Sequence, residues 1–196
     1  MRDLRRHDGG AKLQDQMPQL RVHPRLLRPM MPISILVLYD RKNSAIEDLA
    51  RSAAMGVDLA GASVSLKRVT EATQADLLSA DGLILGSPNW SGITGSLKTW
   101  LDDQGDLWED GSLAGKPAAA FTSGSGEHSG LEITLLQMIH WMLACGMVVV
   151  GLPWGERMLK SGSYYGATTV GDPTTEDLAQ ARELGARLAA VATKLA

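Results

Sequence analysis

The chain contains a single cysteine and no long run of apolar residues, although 44 % of its 196 residues are hydrophobic. Cys145 cannot form a disulfide within the chain, which favours a reducing compartment. Its sequence neighbours are small and apolar, so we expect a buried packing residue rather than a reactive thiol. No apolar stretch approaches the roughly 20 residues that a membrane helix needs. These absences predict a soluble, cytoplasmic protein, and the length predicts one globular domain.

Positive charge is concentrated at the start of the chain. Residues 1–31 hold seven basic and three acidic side chains, a balance of +4, whereas residues 32–196 hold 12 basic and 19 acidic side chains, a balance of −7. Nucleic acids bind to concentrated basic surfaces, so the acidic body argues against nucleic acid as the partner. We interpret residues 1–31, which lack a periodic apolar face and a signal-peptide core, as a basic extension that is disordered or artefactual. The alternative is an arm that packs on a neighbouring subunit.

From residue 33 onward, short apolar runs alternate with amphipathic helical patterns, which predicts a single α/β domain over residues 32–196. Strands are predicted at residues 33–38, 63–69, 83–85, 117–121 and 147–152. Helices are predicted near residues 46–57, 75–80, 94–101, 131–144 and 174–195, with a long irregular stretch at residues 155–173. Right-handed crossovers then give a doubly wound, five-stranded parallel sheet of order 2-1-3-4-5 in a three-layer α/β/α arrangement.

Three loops follow the central strands of this sheet and are expected to converge on one crevice. The first loop is basic and polar and directly precedes a helix, where free N–H groups and the helix dipole favour an anion. The second presents an indole to an aromatic ring, and the third presents several backbone N–H groups to the polar edge of a heterocycle. Together they predict a site for a phosphorylated planar cofactor. The candidate binding residues are Arg41, Lys42, Asn43, Ser44 and Ala45 in the first loop, Pro88, Asn89, Trp90, Ser91, Gly92 and Ile93 in the second, and Ser123, Gly124, Ser125, Gly126 and Glu127 in the third.

Several motifs resemble those of one known family. They are residues 101–108 (Leu-Asp-Asp-Gln-Gly-Asp-Leu-Trp), 113–116 (Leu-Ala-Gly-Lys), 146–150 (Gly-Met-Val-Val-Val) and 165–169 (Tyr-Gly-Ala-Thr-Thr). Over residues 33–195 the chain resembles the flavodoxin-like superfamily and, within it, the WrbA-type NAD(P)H:quinone oxidoreductases, also called multimeric flavodoxins. The resemblance implies a flavodoxin-like fold, FMN as cofactor and NAD(P)H as co-substrate. It also implies two-electron transfer to a quinone-type acceptor in a ping-pong order, and a homodimer or homotetramer.

Three residues are candidates for catalysis. The resemblance implies that Trp108 walls the substrate space of a neighbouring subunit, with interface or core packing as the alternative. Tyr165 belongs to a matched motif and is expected to line the site. His128, in the third loop, is a candidate proton donor because histidine exchanges protons near neutral pH. A solvated loop histidine is an equally good interpretation of His128.

The first loop differs from the pattern of the family, which places a serine and a glycine where this chain has Arg41 and Ser44. Arg41 and Lys42 are expected to compensate with positive charge. Two other functions remain open: a flavodoxin-type electron carrier, and a degenerate flavodoxin-like protein with weak or no FMN binding. The sequence contains no cluster with metal-ligand spacing, so we expect no metal site.

Overall fold

Strands of aliphatic residues alternate with helices through the described part of the chain. The computed structural model describes residues 32–41, 44–159 and 162–196, so the predicted extension at residues 1–31 lies outside the described residues. The strands are β1 (Ser34–Tyr39), β2 (Ser63–Arg68), β3 (Gly82–Pro88), β4 (Pro117–Gly124), β5 (Val148–Val149) and β6 (Gly166–Val170). The helices are α1 (Ala45–Leu59), α2 (Gln74–Ser79), α3 (Gly95–Asp102), α4 (Gly105–Glu109), α5 (Leu131–Ala144) and α6 (Thr175–Leu195), with a 3₁₀ turn at Glu156–Leu159.

The strands form one parallel sheet in the order β2-β1-β3-β4-β5, and β6 also pairs with β4. The predicted order 2-1-3-4-5 and the doubly wound class are therefore confirmed. β3 and β4 are buried along almost their whole length, as expected for central strands of a sheet that is covered on both faces. Their carboxyl ends lie side by side, because Pro88 pairs with Ser123.

Two short strands, β5 and β6, lie beside β4 where the sequence predicts a single strand at residues 147–152. There β5 pairs with the first two residues of β4, and β6 pairs with its last five. The chain leaves the sheet at Gly151, and Leu152 donates its N–H to the carbonyl of Tyr164 at 3.0 Å instead of to β4. The prediction of an irregular stretch at residues 155–173 was consequently wrong for residues 166–170.

Apolar side chains pack on both faces of the sheet. Alternate residues of β1 point to opposite sides, so Ile35 and Val37 join the cluster with α1 and α6, whereas Leu36 and Leu38 join the cluster with α2, α3, α4 and α5. No helix in the described ranges is long and apolar enough to cross a lipid bilayer.

Cys145 belongs to the second of these clusters, where it is buried. Burial raises the pKa of its thiol, so the group stays protonated and unreactive at neutral pH. The prediction of a packing residue is confirmed.

Helices α1 and α6 approach each other closely through two glycines. A Cβ at Gly56 would lie 1.9 Å from the Arg182 carbonyl oxygen, and a Cβ at Gly185 would lie 2.0 Å from the Ala53 carbonyl oxygen. Only glycine permits this contact, because the atoms that a methyl group would meet are backbone atoms. The contact fixes α1, and with it Ser44 at the N-cap of α1.

We predict that Gly185→Ala lowers the free energy of unfolding by about 1–3 kcal/mol, the usual cost of overpacking. Alanine in a helix otherwise gains up to about 1 kcal/mol over glycine, so intrinsic propensity favours the opposite sign. The measurement is urea-induced unfolding followed by circular dichroism.

Gly105→Ala is the matched control, since Gly105 also lies in a helix but a Cβ there meets nothing within 4 Å. It should leave stability unchanged or raise it slightly. A stabilising effect of Gly185→Ala equal to that of the control would contradict the close contact of α1 with α6.

Candidate functional site

The three loops that follow β1, β3 and β4 meet at one cleft of about 570 Å³. This volume falls within the range of roughly 300–1,000 Å³ that is typical of small-molecule sites. The cleft lies at the carboxyl edge of the sheet, where open α/β folds bind their ligands. Its lining residues are Arg41, Ser44, Ala45, Pro88, Asn89, Trp90, Ser91, Ser123, Gly124, Ser125 and Gly171.

Asp40 holds the start of the first loop. Its backbone N–H donates to the Gly86 carbonyl of β3 at 3.1 Å, and its carboxylate accepts the Arg41 N–H at 2.9 Å and the Ser96 hydroxyl at 2.5 Å. Arg41 has a positive φ of 81°. Few residues other than glycine adopt this left-handed region, so the bonds to Asp40 maintain a conformation that costs free energy.

Ser44 is the N-cap of α1 and lines the cleft. A serine at this position normally accepts a hydrogen bond from the backbone at the second or third residue of the helix. Here the side chain makes no such bond, and its buried Oγ meets no hydrogen-bonding partner anywhere in the described ranges. The first N–H groups of a helix also have no partner within the helix. The start of α1 therefore combines an available hydroxyl, available N–H groups and the positive end of a helix dipole.

Asn89 joins the second loop to the third. Its backbone N–H donates to the Ser123 carbonyl at 2.7 Å, and its Nδ2 donates to the Ser129 carbonyl at 2.5 Å. Its Oδ1 accepts the Gly92 N–H at 3.1 Å, which closes a tight turn. Because both ends of the side-chain amide are engaged, Asn89 organises the cleft rather than offering a free group to a ligand.

The turn after Asn89 presents Trp90 to solvent, with 61 % of the residue exposed. Ser91 and Gly92 both have positive φ, at 61° and 126°. Behind the turn, Gln137 of α5 accepts the Ile93 N–H at 2.8 Å, and a Cβ at Gly92 would lie 2.5 Å from the same side-chain oxygen. Gly92 and Ile93 thus support the loop from a neighbouring groove of about 620 Å³ between α3 and α5 and do not line the cleft.

The third loop closes the cleft on the other side. A Cβ at Gly124 would lie 2.6 Å from a terminal methyl carbon of Leu131, so the glycine lets β4 end close beside the start of α5 without displacing this side chain. The Gly124 carbonyl accepts the Gly171 N–H at 2.8 Å, which brings the end of β6 to the rim. Ser129 donates through both its N–H and its hydroxyl to the Gly126 carbonyl, at 3.2 and 2.6 Å, and so fixes the turn.

The chain matches the family model described as NADPH-dependent FMN reductase over residues 57–155. A protein of Archaeoglobus fulgidus named NAD(P)H dehydrogenase (quinone) is 36 % identical, with 82 % of this chain and 98 % of that protein covered. A protein of the same name from Sinorhizobium fredii is 39 % identical, with 83 % and 98 % covered. The chain therefore belongs to the NADPH-dependent FMN reductase family. The resemblance to WrbA-type oxidoreductases is thereby confirmed.

Solved structures of the superfamily show the same fold. The flavodoxin, WrbA-like protein from Agrobacterium tumefaciens superposes with a TM-score of 0.68 at 20 % identity, with 84 % of this chain and 99 % of that chain covered. A flavodoxin from the domain Archaea gives a TM-score of 0.63 at 18 % identity, with 82 % and 99 % covered. The predicted flavodoxin-like fold is therefore confirmed.

The residues of the cleft fit FMN, the flavin that the name of the family specifies. A phosphate oxygen would give the Ser44 Oγ a hydrogen-bond partner and would meet the N–H groups at the start of α1. Trp90, with an exposed indole, and Arg41, with a positive charge, line the same cleft. The structure does not describe Lys42 and Asn43, so their predicted contacts lie outside the described residues.

The candidate catalytic residues do not line this cleft. His128 and Glu127 line a neighbouring cavity of about 400 Å³, between the third loop and the residues before β6. Tyr165 is 37 % exposed and precedes β6 at the level of the middle of β4. A strand rises about 3.3 Å per residue, which places Tyr165 roughly 16 Å back from the rim at Gly124. Trp108 is 55 % exposed on α4, and Gly126 also does not line the cleft.

Gly171 lines the cleft but is missing from the sequence prediction. It directly follows β6 and has a φ of 70°. The signal was present, because residues 166–170 contain two threonines and a valine and are followed by Gly-Asp-Pro, a pattern typical of a strand that ends in a turn. Within the described ranges, no group of three or more His, Cys, Asp or Glu residues could hold a metal ion.

We predict that Ser44→Ala weakens FMN binding about 10–100-fold, the value of one hydrogen bond to a charged group. It should leave the unfolding free energy of the flavin-free protein unchanged or slightly higher, because the lost hydroxyl is buried and caps nothing in the described helix. Flavin fluorescence titration and urea unfolding measure the two effects.

Thr174→Ala is the matched control at the N-cap of α6, where the Thr174 hydroxyl accepts the Asp177 N–H at 3.2 Å. This change should lower stability by about 1 kcal/mol and leave FMN binding unchanged. A Ser44→Ala protein that loses stability but keeps its FMN affinity would mean that Ser44 is an ordinary cap.

Proposed function

We propose that the chain is an FMN-dependent oxidoreductase that passes two electrons from NAD(P)H to a quinone-type acceptor. The observation that carries the proposal is similarity along almost the full length of relatives named NAD(P)H dehydrogenase (quinone), at 36–39 % identity. The cleft supports it independently, since the N-terminus of a helix, which favours anions, and an exposed indole both line it.

Each loop has one task in binding the flavin. The start of α1 with Ser44 holds the phosphate, and Arg41 balances its charge. Trp90 provides a flat surface for the ring. The N–H group of Ser125, in the third loop, faces the polar edge of the ring and stabilises negative charge there, as an oxyanion hole does. When bound, FMN supplies the redox chemistry by accepting a hydride from NAD(P)H and delivering two electrons to the acceptor.

The substrates require a space over the exposed ring, and we propose that a second subunit completes it. Trp108 and Tyr165 are large, aromatic and partly or largely exposed, and each lies away from the cleft of its own chain. In a homodimer or homotetramer, these side chains of one subunit would wall the substrate space of another. His128, two residues after Gly126, is the candidate proton donor to the reduced acceptor.

NAD(P)H and the quinone would use this one space in turn, which is a ping-pong order. We also infer a cytoplasmic location, which a lone buried cysteine supports because Cys145 needs no oxidising compartment.

We predict that the purified protein binds FMN and, with FMN added, oxidises NADH or NADPH in the presence of benzoquinone. Initial rates at several fixed quinone concentrations should give parallel double-reciprocal lines, because each product leaves before the next substrate enters. The visible spectrum with and without FMN and steady-state NAD(P)H oxidation are the measurements.

The outcomes separate the competing functions. Bound flavin with almost no NAD(P)H oxidation would identify a one-electron carrier of the flavodoxin type. The lack of a bound-flavin spectrum even with added FMN would identify a degenerate chain. Intersecting lines with full activity would contradict the ping-pong order alone.

A further inference from the structure

The guanidinium group of Arg41 lies over the indole of Trp90, with its Cζ 4.3 Å from the ring centroid. The distance and position are those of a cation–π contact. Both residues line the cleft, Arg41 from the first loop and Trp90 from the second. The contact therefore covers one face of the indole that the proposed function assigns to the flavin ring.

The backbone of Arg41 is held while its side chain is exposed. The φ of 81° is unfavourable for arginine, and the N–H bond to Asp40 maintains it. The Asp40 carboxylate is itself nearly buried and also accepts the Ser96 hydroxyl. Unfavourable backbone conformations that persist in this way occur preferentially at ligand-binding sites. In this loop, the backbone conformation of Arg41 fixes the position of its Cα, from which the side chain extends over Trp90.

The Arg41 side chain has two candidate partners. One is the Trp90 ring, which it contacts. The other is the phosphate that the proposed function assigns to the start of α1, where Ser44, three residues after Arg41, lines the same cleft. An arginine–phosphate pair combines charge with bidentate hydrogen bonds, whereas an exposed cation–π contact contributes only about 2–5-fold to an equilibrium constant. The guanidinium would therefore bind a phosphate at this position in preference to the Trp90 ring.

We propose that Arg41 selects phosphorylated over unphosphorylated flavin by exchanging these partners. The guanidinium moves from Trp90 to the phosphate as FMN binds, which uncovers the indole for the ring. Riboflavin has the same ring but no phosphate, so it must displace Arg41 from Trp90 without providing a new partner. Arg41 thus favours one flavin and opposes the other. This inference rests on the proposed FMN function and adds the basis of flavin selectivity.

The exchange predicts effects of opposite sign when Arg41 is replaced. Arg41→Gln should raise the Kd for FMN about tenfold or more, because a charge-assisted contact with the phosphate is lost. The same variant should lower the Kd for riboflavin about 2–5-fold, because the ring no longer competes with a cation for Trp90. The Kd for riboflavin divided by the Kd for FMN measures selectivity for the phosphate, and this ratio falls at least 20-fold.

The test is a fluorescence titration of FMN and riboflavin against the full chain and the Arg41→Gln variant, repeated at low and high salt. Lys194→Gln is the matched control, since it also removes one positive charge from an exposed residue. Lys194 lies in the last turn of α6, whereas the cleft residue Gly171 lies just before the start of that helix. The control should leave both Kd values unchanged. The salt dependence of FMN binding should become weaker in Arg41→Gln and remain unchanged in the control.

Three results would overturn the exchange. If Arg41→Gln weakens the binding of FMN and of riboflavin equally, Arg41 only supports Trp90. Weaker FMN with unchanged riboflavin would make Arg41 a phosphate ligand that does not cover the ring site. Lack of binding of either flavin by the unsubstituted chain would overturn the proposed cofactor as well, and this outcome is distinct from the other two.

Discussion

The hydrogen bonds of Asn89 are the interactions on which the candidate site depends most. They join the second loop to the third through the carbonyls of Ser123 and Ser129 and close the turn at Gly92. The turn contains two consecutive residues with positive φ and has Trp90 exposed at its tip, so it is not stabilised by burial of its own side chains. A short polar side chain with one acceptor and one donor group satisfies both loops at once. The loops then act as one rim with a fixed spacing.

The scaffold under this rim is closely packed, because glycines there lie against an aromatic ring or a neighbouring backbone. Gly86 of β3 lies against the ring of Phe121 in β4, where a Cβ would be 2.0 Å from the aromatic ring. On one face of the sheet, the glycine contacts with α6 fix α1, and with it Ser44 at the N-cap of α1. A binding site needs this division: rigid strands and helices set the positions, and the loops supply the chemistry. In the proposed exchange of partners, the Arg41 side chain is the element that moves within this site.

The fold was largely predictable from the sequence because its signals are local. Runs such as residues 33–38 and 83–85 are too short and too apolar for anything but buried strands, and parallel topology then brings their loops to one edge. The division of the fifth position into β5 and β6 was not predictable in this way, because it depends on β4 pairing with two separate segments. The position of Tyr165, directly before β6, was not predictable for the same reason. A matched motif indicates family membership, but it does not show which cavity or surface of the chain a residue lines.

We propose that one cleft holds FMN with its phosphate at the start of α1. A crystal structure of the protein with bound FMN would decide this. We expect phosphate oxygens within hydrogen-bond distance of the Ser44 Oγ and the first N–H groups of α1, with the ring beside Trp90. Flavin bound elsewhere, for instance in the groove between α3 and α5, with no contact to Ser44, would show that the proposed site is wrong.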